Sequence, residues 1–176
     1  MPKFAANLTM LFTEHAFLDR FDHAAKAGFK AVEFLFPYAF HPGDIKRRLD
    51  ANGLALVLHN LPAGNWDAGE RGIACHPDRV NEFREGVETA IRHAGALGVR
   101  QLNCLVGKAP AGVADDVLRR TVVDNLRYAA DALKKAGLRL QQQTMLKLND
   151  RCRWPYAQLP LPAVENDPYR GYYVPE

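Results

Sequence analysis

The 176-residue sequence has only three cysteines, Cys75, Cys104 and Cys152. They have neither the density nor the paired spacing of a disulfide framework or a zinc site, which argues for a reducing compartment. No run approaches the roughly 18 to 20 apolar residues of a membrane span. The apolar stretch after Lys3 is broken by Asn7 and Thr9 and meets Glu14 before reaching signal-peptide length. A cytoplasmic location is the expectation. Charge of one sign is also scarce: 23 Lys and Arg against 20 Asp and Glu give +3, with the two signs interspersed. No basic block exists to serve as a footprint for nucleic acid. A Gly-rich phosphate turn is missing after the first apolar run, where Asn7, Leu8 and Thr9 stand instead. This counts against a doubly wound dinucleotide-binding sheet.

With 48% hydrophobic and 24% charged residues, the chain has the composition of an ordinary folded domain with one sizeable core. KFAANLTMLF reads as a strand, and Phe17, Leu18, Phe21, Ala24 and Ala25 then recur at helical spacing up to Gly28. KAVEFLFP is a second strand stopped by Pro37, followed by a short helix around Asp44 to Ala51 that closes at Asn52-Gly53. LALVLHN is a third strand. A helix opened by Pro77 buries Val80, Phe83, Val87, Ala90, Ile91, Ala94 and Leu97 before Gly98. RQLNCLVG is a fourth strand, and its helix points Leu118, Val122, Leu126, Ala129 and Leu133 inward before Ala136-Gly137. LRL then begins a fifth.

Strand and helix therefore alternate four times, and each strand is an apolar run of the kind covered on both faces. The expected fold class is α/β: an incomplete (β/α)8 TIM barrel of about four and a half βα units, since a full barrel typically takes ~250 residues. From Gln141 the pattern changes, as QQQ replaces an apolar strand centre, and five of the eleven prolines lie in the last 22 residues. The expected division is a partial barrel over 1–140 and an irregular Pro-rich tail over 141–176.

The densest concentration of ligand-handling groups is HNLPAGNWDAGERGIA, residues 59 to 74, directly after the third strand. His59 and Asn60 end that strand at the face where barrel sites are built. The histidine could donate to an oxyanion or carry a proton, or bond to a neighbouring strand end. Asn60 also suits a tight turn. Arg71 offers a fork that matches a carboxylate, with an internal pair to Asp67 or Glu70 as the competing role. Lys108, just after the fourth strand, offers a point charge for the same carboxylate, or is a solvated loop lysine. Glu33 lies inside an apolar strand, where a lone carboxylate is costly to bury; it either faces the barrel mouth or pairs with a basic group, for which Lys108 and Arg71 are candidates. Trp66 is expected to cover the loop, Cys104 to be an inert buried thiol, and Asn7 either to shape a turn or to reach the pocket.

The strings FAANLTMLF, AGFKAVEFLFPY, LHNLPAGNWDAGERGIA, FREGV, NCLVGKAPAG and DNLRYAA, in this order, closely resemble hydroxypyruvate isomerases from about residue 3 to residue 140. The resemblance implies a xylose isomerase-like barrel that interconverts hydroxypyruvate and tartronate semialdehyde, with relatives acting on 2-oxo-tetronates. A proton leaves the carbon beside a carbonyl and returns to its neighbour through an enediolate, which requires a carboxylate base and stabilisation of negative charge. In the family, Mg²⁺ or Mn²⁺ clamps the substrate oxygens.

By the same resemblance, a catalytic, metal-ligating glutamate should end the fifth strand at position 143, ahead of a proline. This chain has Gln143 and then Thr144. An amide cannot abstract a proton. No partners for the later Asp, Gln and Glu ligands are recognisable, apart from a Pro168, Arg170, Gly171 echo in the tail. The expectation is an isomerase-like protein that is impaired or inactive and does not bind the metal, its sequence beyond Gln141 arising from a shifted frame, altered splice or deletion. The alternative is a non-catalytic half-barrel that binds a small carboxylate or assembles as a homodimer, because open parallel edges invite pairing. Endonuclease chemistry on the same superfamily barrel would need a cluster of His and acidic ligands, which the chain does not display. The expected partner is a small hydroxy-oxo acid, with no nucleic acid and no membrane.

Overall fold

A computed structural model describes residues 3–143 and 172–173. Its strands are β1 (Lys3–Phe4), β2 (Ala6–Asn7), β3 (Ala31–Glu33), β4 (Ala55–Asn60), β5 (Gln101–Leu105), β6 (Arg139–Gln143) and β7 (Tyr172–Tyr173). The α-helices are α1 (Arg20–Lys26), α2 (Pro42–Asn52), α3 (Val80–Leu97) and α4 (Asp115–Lys135). Single 3-10 turns, Phe17–Asp19 and Pro77–Arg79, lead into α1 and α3.

Strands β2 to β6 form one parallel sheet in strict sequence order. The helices pack in the same order, α1 on α2, α2 on α3 and α3 on α4. An unbroken strand order has no switch point, so this is the singly wound arrangement of a barrel and not the doubly wound alternative.

The main core lies between sheet and helices. Ala6, Leu8, Val32, Phe34, Leu56, Leu102 and Cys104 meet Phe21, Ile45, Phe83, Val87, Leu126 and Leu133. Burying each large side chain contributes about 2 kcal/mol. The other face of the sheet carries a small cluster of Ala5, Ala31 and Val57, against which Leu58 packs.

Local chemistry sets the helix boundaries. His41 caps α2, its Nδ1 accepting from Gly43 N–H at 3.1 Å, and Pro42 occupies the first turn where no amide is needed. Gly53 and Gly98 stop α2 and α3 in the left-handed region.

The strands differ from the sequence expectation in three places. KFAANLTMLF forms only β1 and β2, because Asn7 turns the chain: its Oδ1 accepts from Thr9 N–H at 3.0 Å, and its backbone carbonyl accepts from Met10 and Leu11. The second strand is only three residues long. The fifth does not stop at Gln141: β6 keeps full register with β5 through Gln143, and Gln141 Nε2 donates to Gln101 Oε1 at 2.9 Å. The expected boundary after residue 140 thus falls inside β6. Within the expected tail, Tyr172–Tyr173 pairs parallel with Lys3–Phe4. The Pro168, Arg170, Gly171 echo lies outside the described residues.

Candidate functional site

The carboxyl ends of β2 to β5 present a row of polar side chains, and strand register decides which face each occupies. Asn7 pairs with Glu33 in register, and Asn60 with Asn103. Between β3 and β4 the register shifts after Val32, so that Val32 opposes Leu56 whereas Glu33 opposes Leu58. Val57 and Leu58 consequently both pack on the inner cluster, and alternation beyond them is inverted.

The shift separates two neighbours that the sequence suggested would act together. Asn60 shares the inner face with Asn103, whose Nδ2 donates to Asn60 Oδ1 at 2.9 Å. His59 shares the face of Leu102, a residue of the main core, and is fully buried against Phe34 and Tyr38. Its Nδ1 lies 3.2 Å from the Asn60 carbonyl, which also accepts from Tyr38 Oη at 2.5 Å. That bond assigns the ring proton to Nδ1. Burial lowers the His59 pKa to about 4, opposed by the bond to Asn60 and aided by nearby His93, so the ring is neutral. His59 therefore anchors the Asn60 backbone from behind the sheet.

Glu33 is 6% exposed and takes its partner from Asn7, whose Nδ2 donates to Oε1 at 2.7 Å. Neither Lys108 nor Arg71, the cations considered for it, provides that bond. Burial holds the carboxyl above the usual carboxylate range, against the lowering effect of the Asn7 donor. Glu33 Oε2 and Asn60 Nδ2 are buried without a hydrogen-bond partner.

Arg71 and Lys108 meet at the rim, where a cleft of about 220 Å³ is lined by Glu70, Arg71, His76 and Lys108 together with Gly69 and Pro110. Lys108 Nζ donates to the Gly69 carbonyl at 2.8 Å, tying the loop after β5 to the loop after β4. Arg71 folds back on its own loop. Its Nη1 donates to the carbonyls of Trp66 and Glu70, and its guanidinium lies 3.9 Å from the Trp66 ring centre. Trp66 in turn packs on Phe36, so it covers the loop. Glu70 is paired with Arg79, not Arg71, and Arg79 also holds Glu82 at 2.7 Å. That bond, seconded by the Asn65 amide, holds the Glu70 carboxyl below its usual range.

Gly72 seats this loop on the end of β5. It bridges to Val106 with φ +116, and a Cβ there would collide with the Leu105 carbonyl. Below it, Cys104 is fully buried in the core and its thiol is pushed up to about 12, an inert group.

Sequence reasoning missed Asn103, although a polar residue amid LNCL is itself a signal that a partner waits on the next strand. Among the described residues, no three His, Cys, Asp or Glu side chains converge as metal ligands. No described helix is long and apolar enough to cross a membrane.

A sequentially wound parallel sheet with helices on one face and polar side chains at the carboxyl ends of its strands defines one sector of a TIM barrel. A profile of the xylose isomerase-like TIM barrel matches residues 21–153. The chain belongs to that family.

It is 55% identical over 140 residues to hydroxypyruvate isomerase of Escherichia coli, covering 80% of this chain and 54% of that protein. It is 46% identical over 138 residues to 2-oxo-tetronate isomerase of Cupriavidus necator, covering 78% and 53%. Among solved structures, it superposes with a TM-score of 0.77 and 45% identity on a protein from Brucella melitensis described as AP endonuclease, family 2, covering 81% of this chain and 55% of that one. The chain thus spans about half the length of these relatives.

Proposed function

We propose that these strand ends form the substrate-binding part of a hydroxypyruvate isomerase-type site. Arg71 and Lys108 hold the carboxylate at the rim, and Asn60 approaches the carbon chain from the sheet, with His59 fixing its backbone. The observation that carries this reading is the convergence of both cations on one cleft at the carboxyl end of the sheet. A 2-oxo-tetronate offers the same carboxylate and is the alternative substrate.

Isomerisation moves a proton from the hydroxyl-bearing carbon to the adjacent carbonyl carbon, with a carboxylate as base. Where the family resemblance implies that glutamate, this chain has Gln143. Slow turnover with retained binding is the proposal. Calorimetric titration with hydroxypyruvate, paired with NMR detection of tartronate semialdehyde in the presence of Mg²⁺ or Mn²⁺, tests it. Binding with turnover far below that of the E. coli relative supports the reading, and absence of binding rejects it.

A second reading, non-catalytic capture of a small carboxylate, rests on the same two cations together with Gln143 at the position where the resemblance implies the catalytic glutamate. Binding with no turnover at all selects it.

A further inference from the structure

Two orphaned atoms on the inner face of the sheet remain to be explained. Glu33 Oε2 and Asn60 Nδ2 belong to side chains 6% and 2% exposed, and neither atom has a partner. They lie on adjacent strands and on the same face, since Asn60 follows two residues after Leu58, the register partner of Glu33. The other polar atoms of both residues are already held. Asn7 donates to Glu33 Oε1, Asn103 donates to Asn60 Oδ1, and Tyr38 and His59 bond the Asn60 carbonyl. What is left open is one acceptor, Glu33 Oε2, and one donor, Asn60 Nδ2, on the same face of neighbouring strands.

Buried polar groups are ordinarily satisfied, so a pair left open calls for a group that satisfies both. The group that answers both is a hydroxyl, which donates and accepts. A methyl in its place leaves both atoms unsatisfied, and sites built on such polar groups discriminate strongly against the analogue that lacks the hydroxyl.

We infer that Glu33 and Asn60 recognise substrate hydroxyl, Glu33 Oε2 accepting from it and Asn60 Nδ2 donating to it, so that the ligand class is hydroxyl-bearing oxo acids and excludes plain 2-oxo acids. This rests on the reading above for the carboxylate end. It adds a specificity element from β3 and β4 that the rim cations cannot supply.

The test follows the side-chain amide resonances of Asn60 by NMR in the full chain during titrations with hydroxypyruvate, pyruvate and glycerol. Hydroxypyruvate is expected to bind at least about tenfold more tightly than pyruvate, and to move the Asn60 amide where pyruvate does not. Glu33→Gln, and independently Asn60→Asp, should bring the two acids within about twofold of each other. Equal affinities in the unsubstituted chain, or preference for hydroxypyruvate surviving in both folded variants, overturns the inference and leaves the carboxylate reading intact. Silence of both acids with an Asn60 response to glycerol that Glu33→Gln removes rejects the carboxylate reading and keeps the inference. No response to any of the three probes rejects both.

Discussion

Asn7 and Glu33 are joined across neighbouring strands by a 2.7 Å hydrogen bond, and the same Asn7 side chain caps the turn that follows it through Thr9 N–H. One amide thus shapes the exit from β2 and orients the carboxylate on β3. Asn7→Ala removes both bonds and leaves the buried Glu33 with neither oxygen partnered. A loss of about 2 kcal/mol in urea unfolding is expected. An unchanged midpoint would show that the turn is held by other contacts.

Glu33 itself opposes folding at neutral pH. Burial holds its folded pKa above the ordinary carboxylate value, so the native state holds its proton longer than the unfolded chain. Its contribution to stability therefore falls as pH rises from the unfolded value through the folded one. Glu33→Gln keeps an acceptor for Asn7 and removes the charge. It should raise stability at pH 7 by about 1 kcal/mol, with the gain vanishing near pH 4. A neutral or negative change at pH 7 would mean that the ionised carboxylate is already compensated.

His59 has the opposite sign. A folded pKa of about 4, against the ordinary 6.5, means that the unfolded chain takes up this proton first as pH falls. Stability is thus lost between about pH 6.5 and 4, by up to about 3 kcal/mol. Chemical denaturation at a series of pH values should show that loss, and His59→Gln should flatten it across this window. A slope that persists in the variant assigns the acid sensitivity to another group.

Gly72 is where the loop meets the backbone of the neighbouring strand end most closely. At φ +116, with the Leu105 carbonyl where a Cβ would stand, Gly72→Ala should cost about 3 kcal/mol or more. Gly98→Ala, with a left-handed φ of 74 and open space around it, should cost about 1 kcal/mol. Equal thermal shifts for the two would contradict the steric account.

The parallel winding was legible because Gly28, Gly53, Gly98 and Gly137 punctuate apolar periods of two kinds, and those signals are local. The position of His59 was not. It depends on a register shift between Val32 and Glu33 that no alternation within LALVLHN announces, because every residue in that strand is compatible with burial on either face. Asn60 and Arg71 could be picked out as polar residues at a strand end and in a polar loop. Glu70 pairs with Arg79, in the 3-10 turn nine residues on, while Arg71 is taken up by the carbonyls of Trp66 and Glu70, a long-range choice that spacing alone does not announce. The three glutamines of β6 read as a break, yet backbone pairing with β5 carries the strand through them.

In the proposed function, Arg71 and Lys108 act as one carboxylate clamp above the sheet. Calorimetric titration of the full chain and of Arg71→Ala and Lys108→Ala with hydroxypyruvate measures this directly. Binding to the unsubstituted chain that weakens about tenfold or more in each variant is the predicted result. Affinity unchanged by either substitution would contradict it.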